Sequence, residues 1–150
     1  MNRAVDGDVC LVLGYDRTDS ARGAASWAVH ELAPDGKLVV VHACRALHAP
    51  PSPLSSTHER RQLARAVFDE LFLEDDGSLL DVDIDIETEI SDEDPVTALV
   101  DAARRHHARA IVVGCEQRSR LHKALGTVTS ELLESSPVPV TAVPIQAGRS

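Results

Sequence analysis

Apolar positions along the chain follow two alternating rhythms. Val9-Cys10-Leu11-Val12-Leu13-Gly14-Tyr15, Leu38-Val39-Val40-Val41-His42-Ala43 and Ala110-Ile111-Val112-Val113 are almost continuously apolar, as strands covered on both faces should be. Between them the apolar residues recur at three and four positions: Ala21, Ala24, Ala25, Ala28 and Leu32; Leu63, Ala66, Val67 and Leu71; Val96, Leu99, Val100 and Ala103. That spacing places them on one face of a helix. Strand and helix rhythms in alternation predict βαβ units, and hence an α/β fold in which one doubly wound parallel sheet of five strands carries four helices on its two faces. The punctuation agrees. Asp19 or Ser20 is placed to cap the first helix, Pro34-Asp35-Gly36 ends that unit, the second helix is expected over Thr57–Phe72, and Asp94-Pro95 starts a third that ends near His107.

Three segments break the rhythm. The stretch 46–56 holds Pro50, Pro51 and Pro53 and is read as a loop. From Val82 to Ile90 the pattern alternates strictly, with Asp83, Asp85, Glu87 and Glu89 on one side. A row of carboxylates suits a solvated edge strand that must not pair with another molecule, and carboxylates spread along a strand do not converge on a metal ion. Pro137 to Pro144 forms an apolar last strand without such protection. A homodimer through about Val138–Val143 is therefore expected. Arg104, Arg105, His106 and His107 close the third helix, where cations oppose the negative end of its dipole.

Composition narrows the class. At 150 residues and 43% apolar content the chain is read as a single domain, 1–150, with its core over about 8–144 and flexible ends at 1–7 and 145–150. No apolar run approaches the roughly 20 residues that span a bilayer, and the amino end lacks a signal-peptide pattern, so a cytoplasmic location is expected. A net charge of −9 disfavours nucleic-acid or anionic-membrane partners. Cys10, Cys44 and Cys115 lack CxxC spacing and are read as buried reduced thiols in or beside strands, not as a disulfide or zinc framework.

Candidate chemistry gathers at strand ends. Asp16 follows the first strand, Gly114 the fourth, and Gly126-Thr127 opens the last helix. In a parallel sheet the crevice outside the carboxyl ends, where strand order reverses, is where ligands bind. A helix amino end and a nearby basic group (Arg118, Arg120, Lys123) attract anions, and Gly126 permits close approach of a phosphate. Neither a GxxxxGK[ST] loop nor a GxGxxG turn is present. No Ser-His-Asp or Cys-His spacing stands out, so a binding domain is expected, with slow hydrolysis of a bound nucleotide as the most it would catalyse.

Val12-Leu13-Gly14-Tyr15-Asp16, Asp94-Pro95, Ala110-Ile111-Val112-Val113-Gly114, Gly126-Thr127-Val128-Thr129 and Pro137-Val138-Pro139-Val140 occur in an order and at spacings that resemble the universal stress protein family. The resemblance spans about Val9 to Val143. It implies an adenine nucleotide alpha hydrolase-like sheet in order 3-2-1-4-5, usually dimeric, and in one branch ATP, with magnesium, between strands one and four. In that branch Asp16 and Ala43 would lie at the base, and Gly114, Gln117, Arg118, Gly126, Thr127 and Val128 along the phosphates. The branch motif is Gly, two residues, Gly, nine residues, then Gly and Ser or Thr. Here Gln117 replaces the second glycine and only eight residues, 118–125, precede Gly126. Glutamine resists the positive φ open to glycine, which implies an altered affinity or ligand choice. The alternative is a dimeric interaction module of the same family that binds no nucleotide.

Overall fold

A computed structural model describes residues 9–44, 57–73, 83–117 and 126–146. Arg118, the proline-rich segment 46–56 and most of both chain ends lie outside the described residues. The elements alternate along the chain: β1 Cys10–Gly14, α1 Asp19–Leu32, β2 Lys37–Ala43, α2 Thr57–Phe72, β3 Asp85–Ser91, α3 Pro95–Arg105, β4 Ala110–Gln117, α4 Thr127–Ser135 and β5 Val140–Gln146. All strand pairs are parallel and the order is β3-β2-β1-β4-β5.

Side chains of successive strand residues point to opposite faces, and each face buries its own core. Leu11, Leu13, Leu38, Val40 and Val112 pack with α1 and α2, whereas Val12, Val39, Val41, Ile111 and Val113 pack with α3 and α4. The sheet is thus doubly wound, as the continuous apolar runs require. The buried stripe of α1 is Ala21, Ala24, Ala25, Ala28 and Leu32. Four alanines let its backbone lie close on the sheet. On α2 the fully covered residues are Val67 and Phe72, with Leu63 and Leu71 partly covered.

Three local expectations change. The cap of α1 is Thr18, whose Oγ1 accepts the Ala21 N–H at 3.2 Å; Asp19 is already helical and pairs with Arg22. Thr18 wins because the preceding turn hands it the extended backbone (φ −90°, ψ 164°) that a cap requires. Second, β4 does not stop at Val113: it continues through Gly114 to Gln117, paired with β5 from Ile111↔Val140 to Gln117↔Gln146. Third, Cys44 is exposed, whereas Cys10 is buried.

On β3 the apolar side faces the core as alternation predicts, but the carboxylate side is not simply wet. Glu89 accepts bonds from Arg105 at 2.8 and 3.2 Å and from His106 Nε2 at 2.6 Å, and Glu87 pairs with Lys37 at 3.0 Å. Arg105 and His106, at the end of α3, reach across to the edge strand and tie it down. Burial raises the Glu89 carboxyl, but the bonds from Arg105 and His106 outweigh it and hold the group down to about 2.

Candidate functional site

β1 and β4 pair only from Leu11↔Ala110 to Leu13↔Val112. Beyond that point they part. The chain leaving β1 leans toward β2, with Tyr15 N–H donating to Val41 O at 2.9 Å, while β4 stays with β5. Strand order reverses between these two strands, so the gap is the crevice that such sheets leave at a switch point.

A cavity of about 120 Å³ occupies it. Asp16, Ala43, Gly114 and Val128, four of the residues singled out by sequence, line it together. Asp16 and Gly114, far apart in the chain, therefore meet on one rim. Gly126 and Thr127 are exposed at the amino end of α4 beside Val128, and Gln117 ends β4 opposite Gln146.

Gly14, Val41, Leu99, Val113 and Thr129, none of them among the site residues expected from the sequence, also wall the cavity. A signal existed: Val41 shares a strand face with Ala43 two residues on, and Leu99 sits one turn beyond Pro95, which lines the same cavity. The walls are thus mainly aliphatic, with Asp16 the carboxylate among the described lining residues. That suits a flat, partly apolar ring with a polar group to orient it.

Gly114 has a steric role. A Cβ there would overlap the Ser20 carbonyl and approach Ala21 N to 2.7 Å. Glycine is needed because the first turn of α1 crosses directly over β4. At Gly126 a Cβ would meet nothing within 4 Å among the described residues. Gly126 caps α4 with extended backbone and supplies no side-chain bond, so its own side does not occupy the first-turn N–H groups.

Asp16 is exposed, and its Oδ1 accepts from Thr18 N–H at 3.2 Å and Thr18 Oγ1 at 2.5 Å. Behind it, Tyr15 and Arg17 both bond Glu70. Burial first, and then the bond to the Glu70 carboxylate, pushes the Tyr15 hydroxyl up to about 12. The hydrogen bonds from Arg17 hold Glu70 below the usual carboxylate range.

Away from the crevice, Glu87, Glu89 and His106 bring donor atoms within 4.8 Å of one another. Lys37 and Arg105 already neutralise those two carboxylates, so the cluster is an ion-pair network bonding β3 to α3.

The model of the universal stress protein family matches residues 11–144. This chain belongs to that family. Among solved structures, a universal stress protein family member from Burkholderia pseudomallei is 22% identical, covers 93% of this chain and 98% of its own, and has a TM-score of 0.59. A universal stress protein in complex with cAMP is 23% identical over 93% and 98% of the two chains, with a TM-score of 0.56. An Arabidopsis thaliana family protein with AMP bound is 16% identical over 93% of each chain, at 0.54. At such identities the likeness establishes the shared fold. No curated protein matches the chain. Among the described residues of this universal stress protein, no helix is long and apolar enough to cross a membrane.

Proposed function

We propose that this chain binds an adenine nucleotide in the crevice between β1 and β4. Asp16 and Ala43 contact the base side, and Gly126, Thr127 and Val128 present the amino end of α4 to the phosphates, with Gly114 beside them. The supporting observation is that Asp16, Ala43, Gly114 and Val128, drawn from four separate segments, line one cavity. Its volume, about 120 Å³, is below the roughly 300–1,000 Å³ of ordinary ligand pockets. It takes the base and part of the ribose, and the phosphates extend along its open side, where helix N–H groups and the dipole favour anions. Family members solved with AMP, cAMP and dAMP support the adenine class. Asp16 is the carboxylate among the described lining residues; on this reading magnesium enters with the phosphates of ATP. The function is that of a nucleotide-responsive binding domain, with at most slow ATP hydrolysis.

The test is a thermal melt of the purified chain with ATP, AMP or cAMP and magnesium. A ligand that binds only the folded state stabilises it by about 2.7 kcal/mol at a hundredfold excess over its dissociation constant. No shift with any of them at millimolar concentration sinks this reading.

A second reading is a dimeric interaction module without nucleotide. It is favoured by β5, which forms one edge of the sheet and offers backbone groups to a symmetry mate around Val138–Val143. The oligomeric state measured by light scattering tests the dimer, which is compatible with either reading; the melt chooses between them.

A further inference from the structure

The turn between β1 and α1 is held from the side opposite the crevice. Arg17 takes φ 69°, the left-handed region that side-chain-bearing residues avoid and that persists only where the surroundings enforce it. The enforcing group is Glu70, 53 positions further on and in the last turn of α2. Its carboxylate accepts Arg17 Nε at 3.0 and 3.1 Å, pairs with Arg17 Nη2 and accepts the Tyr15 hydroxyl at 2.9 Å. A second tie is His42 Nδ1–H donating to Tyr15 O at 2.8 Å. Both neighbours of Asp16 are thus anchored to one carboxylate. Asp16, between them, lines the crevice and holds Thr18, which caps α1.

We propose that Glu70 is a positioning residue for the crevice: by gripping Tyr15 and Arg17 it enforces the left-handed turn that sets Asp16 on the rim, without itself touching the ligand. Glu70 lines a separate cavity between α1 and α2, on the other face of the sheet. The consequence for ligand affinity rests on the nucleotide reading above. A carboxylate that only tethered α2 would affect stability and leave the turn in place.

The experiment compares Glu70→Gln with the double variant Glu70→Gln/Arg17→Gly in the full chain. Glycine adopts a positive φ without penalty, so the double variant keeps the turn without the grip. Two quantities are read: the ATP dissociation constant by calorimetry, and amide hydrogen exchange at Thr18, whose N–H is bonded by Asp16. Glu70→Gln is expected to raise the dissociation constant about fivefold and to speed Thr18 exchange by a similar factor. Adding Arg17→Gly is expected to return both to within about twofold of the parent chain. Unchanged Thr18 exchange in Glu70→Gln, or a loss that glycine does not recover, overturns the proposal. If the parent chain binds no adenine nucleotide, the nucleotide reading falls, and Thr18 exchange by itself decides whether Glu70 positions the turn.

Discussion

Gly114 lies directly beneath Ser20: a Cβ added to the glycine would overlap the Ser20 carbonyl and stand 2.7 Å from Ala21 N. The first turn of α1 therefore rests on β4 at the one place where that strand has no side chain. The crevice rim owes its shape to this contact, because it brings the β1–α1 turn, with Asp16, beside β4.

Gly114→Ala should destabilise the fold by about 2 kcal/mol, since the obstacle is helix backbone and no side-chain rotation relieves it. Urea denaturation measures this, and a change below about 0.5 kcal/mol would mean that α1 moves away at little cost.

Gly126→Val should leave stability within about 1 kcal/mol, because the backbone is at φ −62° and, among the described residues, nothing lies within 4 Å of the new Cβ. The same change covers the amino end of α4 with a branched side chain. Paired melts with and without ATP should show the nucleotide-induced shift abolished; a shift of undiminished size would remove the phosphates from that helix end.

Glu89 is held at about 2, far below its ordinary 4.5. A carboxylate lowered by folding contributes stability that is complete above the unfolded value and disappears as pH falls through the folded one. The chain should accordingly lose stability between about pH 4.5 and 2, and Glu89→Gln should flatten that part of the profile. At neutral pH the same substitution should cost about 1–3 kcal/mol, as Arg105 and His106 lose a charged acceptor. Denaturant midpoints across the acid range check both statements.

Tyr15 is the chain's only tyrosine, so tyrosinate absorbance reports on it alone. Its hydroxyl is pushed up to about 12. Protonation is favoured in the folded state, so the contribution is complete below about pH 10 and lost as pH rises through the folded value. An alkaline titration should show the absorbance rising well above pH 10 in the folded protein and near 10 in urea. Glu70→Gln should move the folded midpoint downward; a midpoint already at 10 in the parent chain would contradict the Tyr15–Glu70 bond.

Near-neighbour chemistry made much of the fold readable in advance. The alanine stripe of α1, the Thr57–Phe72 limits of α2 and the Asp94 cap with Pro95 behind it, where Asp94 Oδ1 accepts Thr97 N–H at 3.0 Å, depend on residues within a turn or two of one another. Strand order is different in kind. Apolar runs announce parallel strands without saying which are neighbours, and the 3-2-1-4-5 order came with the family likeness.

The sequence by itself determined the alternation of strands and helices, their breaks, the Asp94 cap of α3, and Asp16 and Gly114 at two strand ends, because periodicity, capping and turn chemistry act over a few positions; Ala43 and Val128 came with the family likeness. Tertiary structure alone decided the rest. It extended β4 past Gly114 by pairing it with β5, moved the α1 cap to Thr18 through a turn gripped by Glu70, and turned the β3 carboxylates into partners for Arg105, His106 and Lys37. It also gave Val41, Leu99 and Val113 a second role as crevice walls. Each of these depends on groups far apart in the chain, whose meeting is set by how strands pair and helices pack, and no local pattern encodes that distance.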